Sequence, residues 1–188
     1  MEQLIKFYNK LLPYLFILRH TKYTLPMMTK MALYYSYFNS NISYMIPIWR
    51  YTTMNHMNRL QKTQNKAIRS LFWEDYRDPN TNTNANYKKH NILKISQLTL
   101  YNSLVTIYKI KNNLIKNSIQ LTTFTVIRQY NTRGRHNFIM PRSTINALYE
   151  STLVRGLAQY NQLPQLIKNI NELKAFKKEL RSHILERQ

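Results

Sequence analysis

Apolar positions recur at helical spacing along most of the chain. In residues 2–20 Leu4, Ile5, Tyr8, Leu11, Leu12 and Leu15 are related by spacings of three and four, which predicts an amphipathic helix. Thr24 and Pro26 mark a second helix start, running to about Met45, where Pro47 is expected to end it. A third helix is predicted over 53–73, with Met57, Leu60, Ala67, Ile68 and Leu71 on one face. Residues 79–86, PNTNTNAN, read as a polar surface loop. A further helix is expected over 96–117, capped by Ser96, with Leu100, Tyr101, Leu104, Ile107, Tyr108 and Leu114 as its core stripe. The helical period is lost over 119–141, where Thr, Phe, Val and Ile in 121–127 suggest a short extended piece. A last helix is predicted at about 172–186, with Leu173, Phe176, Leu180 and Ile184 inward. The expected fold class is therefore mainly α, a thumb-like helical bundle with a small extended or β element near 121–153. Its expected divisions are a helical region 1–78, a polar loop 79–87 and a helical region 88–188 that carries a basic irregular segment.

Charge changes this picture most. The chain of 188 residues carries 28 Lys and Arg against 8 Asp and Glu, a formal net charge of +20. Between Asp78 and Glu150 there is no carboxylate. With 44% hydrophobic residues spread along the length, the chain has enough apolar material to fold despite that charge. Such an imbalance points to a polyanionic partner, RNA or DNA first and an anionic membrane second. Asn, Lys, Ile and Tyr share AT-rich codons, so base composition can account for part of the lysine excess; the arginines are harder to explain that way.

Two basic features stand out. In the helix over 53–73, Arg59, Lys62, Lys66 and Arg69 fall within a sector of about 80°, opposite the apolar face. They have no acidic partners at helical spacing, so the row reads either as a phosphate-facing surface or as an ordinary solvated face. The second feature is Tyr130–Arg142, YNTRGRHNFIMPR, in which Arg133, Arg135 and Arg142, with Arg128 just before them, crowd around Gly134. Tyr130 and Phe138 flank these arginines and are the aromatics expected to stack on bases. Arg133 has a structural reading too, because Asn131, Thr132 and Gly134 are turn formers.

Catalytic groups are poorly placed. There is no cysteine, which excludes thiol nucleophiles and cysteine-based metal sites. The five histidines show no metal-ligand spacing. Glu74, Asp75 and Asp78 form the acidic cluster that closes the helix over 53–73, and Asp75 and Asp78 suit loop solubility and helix termination better than a two-metal site. No catalytic residue, metal or cofactor is assigned. Leu11–Leu18 is a poor signal peptide, since Pro13 interrupts it and Arg19 and His20 follow it. No run approaches the roughly 20 apolar residues of a membrane span. The expected location is intracellular, nuclear or cytoplasmic.

Four blocks recur in an order that resembles one family: LYYSYFNSNISYMIPIW (33–49), LQKTQNKAIRSL (60–71), NILKISQL (91–98), and Tyr130–Arg142 followed by GLAQYNQLP (156–164) and IKNINELKAFKKEL. The family is the jockey-like non-LTR retrotransposon reverse transcriptases, in the region downstream of the polymerase core. The matching residues of the fourth block are Asn131, Thr132, Arg133, Phe138, Pro141, Arg142, Gly156, Asn161, Leu163 and Pro164; Tyr160 stands where the family usually has tryptophan. The resemblance implies a thumb-like helical region that grips template–primer, followed by a C-terminal segment. It implies a nucleic-acid-binding fragment or degenerate copy of an RNA-directed DNA polymerase, with a polymerase core on the same or another chain. The family's paired-aspartate motif, endonuclease domain and terminal Cys/His knuckle are not in this sequence, so no catalysis is expected of this chain alone. The alternative is a non-catalytic basic helical scaffold in a nucleoprotein assembly.

Overall fold

A computed structural model describes residues 2–21, 23–49, 54–72, 83–115, 121–123, 137–140 and 152–187. It is a mainly α helical bundle that divides into two units, Met1–Leu98 and Thr99–Gln188. The division falls between Leu98 and Thr99, further along the chain than the segment 79–87 where the sequence places it.

The first unit begins with α1 (Glu2–His20), which keeps its helical course through Pro13. Next come α2 (Met27–Leu33), a π-helical stretch Tyr34–Asn39 and α3 (Ser40–Trp49), which follow one another without a break. Pro26 caps the start of α2 with an extended backbone, as a proline at a helix entry should. Pro47 does not end the helix, which runs to Trp49. A proline removes one hydrogen bond and crowds the preceding turn, and here that cost falls in the last turn only. The π-helical stretch buries Tyr34 and Phe38, whose rings stack at 5.5 Å. Helix α4 (Met54–Leu71) packs against α1 and buries Leu60, Ala67, Ile68 and Leu71, as the apolar stripe predicts.

Helix α5 (Thr83–Lys89) replaces part of the expected polar loop; residues 79–82 lie outside the described residues. Its sequence hides the helix behind asparagines, but Tyr87 is 1% exposed and supplies the anchor. Asn91 ends it in the left-handed region at φ 52°. The N–H of Ile92 then reaches the Tyr87 carbonyl (2.9 Å) and that of Asn91 the Lys88 carbonyl (3.2 Å), the paired bonds of a Schellman ending. Asparagine tolerates this conformation because its short polar side chain can bond locally.

Helix α6 (Ile95–Lys111) spans the division, its first four residues belonging to the first unit. It starts one residue before Ser96, so Ser96 lies in the first turn and is not its cap. The orphan amide of Lys94 is taken by the Gln97 side chain (2.9 Å) and that of Ile95 by Gln61 from α4 (3.0 Å). The helix ends at Lys111, and Asn113 (φ 53°) closes it as Asn91 closes α5. Leu114 therefore falls outside the helix and is 56% exposed, contrary to its expected place in the core stripe.

The second unit adds α7 (Thr152–Asn161), the short α8 (Gln165–Lys168) and α9 (Leu173–Glu186). Phe176, Leu180 and Ile184 are buried at steps of four, as expected. Phe176 stacks on Tyr108 of α6 at 4.0 Å, and the Tyr108 hydroxyl donates to the Asn171 carbonyl (2.6 Å). At Gly156 an added Cβ would lie 3.1 Å from Ile107 Cγ1, so α7 approaches α6 closely there. The expected extended element consists, among the described residues, of one antiparallel bridge, Thr123 with Phe138, supported by the Ile139 N–H bonding the Thr122 carbonyl (2.9 Å).

Candidate nucleic-acid interface

Helix α4 is built with two sides. Its apolar side is buried, and Arg59, Lys62 and Lys66 on the other are exposed. No carboxylate lies in the helix. The row is not uniform, however. Arg59 carries its guanidinium over the ring of Tyr8 at 5.0 Å, a cation–π contact that ties it to α1. The Tyr8 hydroxyl donates to the His56 carbonyl (2.7 Å), fixing the same pair of helices. Burial raises the Tyr8 pKa, and the Arg59 charge partly offsets that rise. Arg69 is half-buried and donates from Nε to the Thr83 hydroxyl at the start of α5 (3.2 Å). Lys62 and Lys66, one turn apart, are the exposed centre of the row.

Arg128, Tyr130, Arg133, Arg135 and Arg142 lie outside the described residues. Phe138 is described, and it is 6% exposed with its ring 5.6 Å from that of Tyr160. The Asn161 side chain holds its backbone on both sides, accepting from the Phe138 N–H and donating to its carbonyl, each at 2.9 Å. A ring enclosed in this way has no open face for a base. Phe138 belongs to the core of the second unit, not to the surface expected from its arginine neighbours. The apolar run Phe138–Met140 inside a basic segment was the available signal for this.

Gln64 is fully buried and donates to the Tyr34 hydroxyl (3.0 Å) and the Leu93 carbonyl (2.9 Å). Gln61 donates to Asn65 (2.9 Å) and the Tyr87 hydroxyl (3.1 Å) while accepting from Ile95. Tyr87 in turn donates to Asn65 (2.8 Å). Burial and the nearby Tyr34 push the Tyr87 phenol far above its usual range, so it stays a neutral donor. The first three blocks thus meet in one buried polar network. Sequence reasoning missed Gln64 as a core residue, although it stands four residues from both Leu60 and Ile68 and so shares their face.

In the second unit, two lysines serve helix ends. Lys168 Nζ donates to the Asn161 carbonyl (2.7 Å), and Lys111 Nζ to the Lys168 carbonyl (3.0 Å). Cations at these positions complement the negative ends of α7 and α8. Burial lowers both lysine pKa values, with the Lys111 charge adding to the effect at Lys168.

Among the described residues no group of three metal-binding side chains converges, and no helix is long and apolar enough to cross a membrane. No protein-family model matches this chain, and neither a curated protein nor a solved structure is significantly similar to it.

Proposed function

We propose that this chain binds RNA or DNA through sequence-independent phosphate contacts, with the exposed side of α4 as one contact surface. The observation that carries the reading is the pairing on one helix of an exposed, acid-free row, Arg59, Lys62 and Lys66, with an opposite face that buries Leu60, Ala67, Ile68 and Leu71. A membrane-binding helix would instead need its bulky apolar residues exposed beside the basic ones. The acid-free stretch between Asp78 and Glu150 adds Arg128, Arg133, Arg135 and Arg142 as further phosphate ligands. The resemblance to the region downstream of the polymerase core in jockey-like reverse transcriptases gives the partner a form: template–primer nucleic acid, gripped beside a polymerase core on the same or another chain.

The alternative, a basic scaffold that recruits a protein, has one observation in its favour: Leu12, Phe16 and Ile17 of α1 are 56%, 61% and 43% exposed. Fluorescence anisotropy with labelled duplex and single-stranded oligonucleotides separates the two readings. Binding that weakens with salt, at a log–log slope of about −0.9 per phosphate contact on duplex and about −0.7 on single strands, supports the nucleic-acid reading. An affinity indifferent to salt, or none, leaves the scaffold reading standing.

A further inference from the structure

Helix α1 is apolar on two sides. Phe7, Leu11 and Leu18 are buried in the first unit, while Leu12, Phe16 and Ile17 on the opposite side are 56%, 61% and 43% exposed. With Pro13, also exposed, these three fill a sector of about 140° at 100° per residue. Basic residues border the sector at both edges, Arg19 beside Leu12 and Lys10 beside Ile17, and both are exposed. The apolar surface continues onto the π-helical stretch. Tyr14 stacks on Tyr37 at 5.4 Å, Ile17 and Tyr37 line one apolar hollow, and Tyr37 is 50% exposed. From Gln3 to Trp73 the sequence has no Asp or Glu.

Exposed apolar patches of this kind mark interaction sites. Charge and shape decide among the occupants. A second copy carries the same net charge of +20 and is repelled. Nucleic acid would set phosphates against Leu12, Phe16 and Ile17 and leave them unburied. A protein takes anchors of this size into pockets, whereas here they stand out from the convex side of one helix. An anionic lipid surface receives such side chains without a pocket, and the bordering cations meet its headgroup charge. Tyrosine favours that boundary, its ring toward the acyl edge and its hydroxyl in water.

We propose that the outer side of α1 is a membrane-surface helix, with Leu12, Phe16 and Ile17 entering an anionic lipid surface and Lys10 and Arg19 at its headgroups. Among the described residues no helix is long and apolar enough to cross a membrane, so α1 lies in the plane of the surface. The inference does not use the basic row of α4, so its failure leaves the nucleic-acid reading untouched.

The chain has no cysteine, so Leu12→Cys gives a single site for an environment-sensitive fluorophore, and Lys62→Cys on α4 gives the control. Each labelled full chain is titrated with vesicles of phosphatidylcholine alone and of phosphatidylserine mixed with phosphatidylcholine. A brighter, blue-shifted emission from position 12 is expected with the mixed vesicles only, with position 62 unchanged. Phe16→Ser, a change at an exposed side chain checked for folding by circular dichroism, should weaken partition of the position-12 chain about tenfold, as loss of one buried aromatic does. A shift at position 62 in place of position 12, or a partition indifferent to Phe16→Ser, means attraction by charge alone and overturns the proposal. No partition overturns it as well. If position 12 shifts instead with an acidic amphipathic helical peptide, or without lipid as protein concentration rises, the face belongs to a protein partner or to a second copy, and the proposal falls.

Discussion

At the scale of single residues, the polar side chains that matter most are buried. Gln64 donates both of its amide hydrogens to groups that have left water, the Tyr34 hydroxyl and the Leu93 carbonyl. Gln64→Ala removes the partner of a buried carbonyl and leaves a void beside Leu60 and Ile68. Together these should cost about 3 kcal/mol of unfolding free energy, read from urea denaturation. A loss below about 0.5 kcal/mol, the scatter of neutral surface changes, would mean that the network is not formed. The same reasoning separates Phe138 from the arginines near it. Its burial against Tyr160, with Asn161 bonded to both of its backbone groups, makes it a packing residue whatever those arginines contact.

At the scale of elements, helix α4 was the most legible part of the sequence. Its apolar stripe and its basic row are both where a period of 3.6 puts them, because a surface helix is organised by one solvent-facing side and one buried side. Helix α9 was legible for the same reason. Other features were hidden by chemistry that periodicity does not report. Helix α5 is only seven residues long, and asparagines conceal its two buried residues, Thr83 and Tyr87. The start of α6 is served by Gln61 from another helix, which no local capping signal announces. Leu114 was misplaced because the left-handed turn at Asn113, not a glycine or proline, ends α6. The basic row also looked uniform in sequence, whereas its members differ in structure. Arg69→Ala should lower stability by about 1 kcal/mol through loss of the bond to Thr83. Lys62→Ala should stay within about 0.5 kcal/mol of the parent. Thermal melts of the two variants check this, and equal effects would contradict the distinction.

At the scale of the whole molecule, an excess of positive charge is carried by a fold with few carboxylates to balance it. Histidines add to that charge when they protonate, and the fold resists this at two places. Burial, then Lys89, holds His90 below the ordinary histidine value of 6.5, and burial, then Arg187, does the same for His183 against a smaller opposing effect of Glu186. Between those lowered values and 6.5 the unfolded chain binds more protons than the folded one, so stability falls as pH drops through this window. Urea midpoints should therefore decrease from about pH 7.5 to about pH 5.5, and His90→Gln should flatten part of the slope. A midpoint that rises on acidification would contradict the assignment.

The central claim is that the exposed row of α4 contacts nucleic acid phosphates. Its most direct test is the salt dependence of duplex binding by the double variant Lys62→Ala and Lys66→Ala, compared with the parent at matched melting temperature. The account predicts weaker binding and a log–log salt slope shallower by about 1.8, two phosphate contacts at about 0.9 each, with melting unchanged. An unaltered slope and affinity in a folded double variant would contradict it, and the charge on this helix would then be a solvated face with no phosphate beside it.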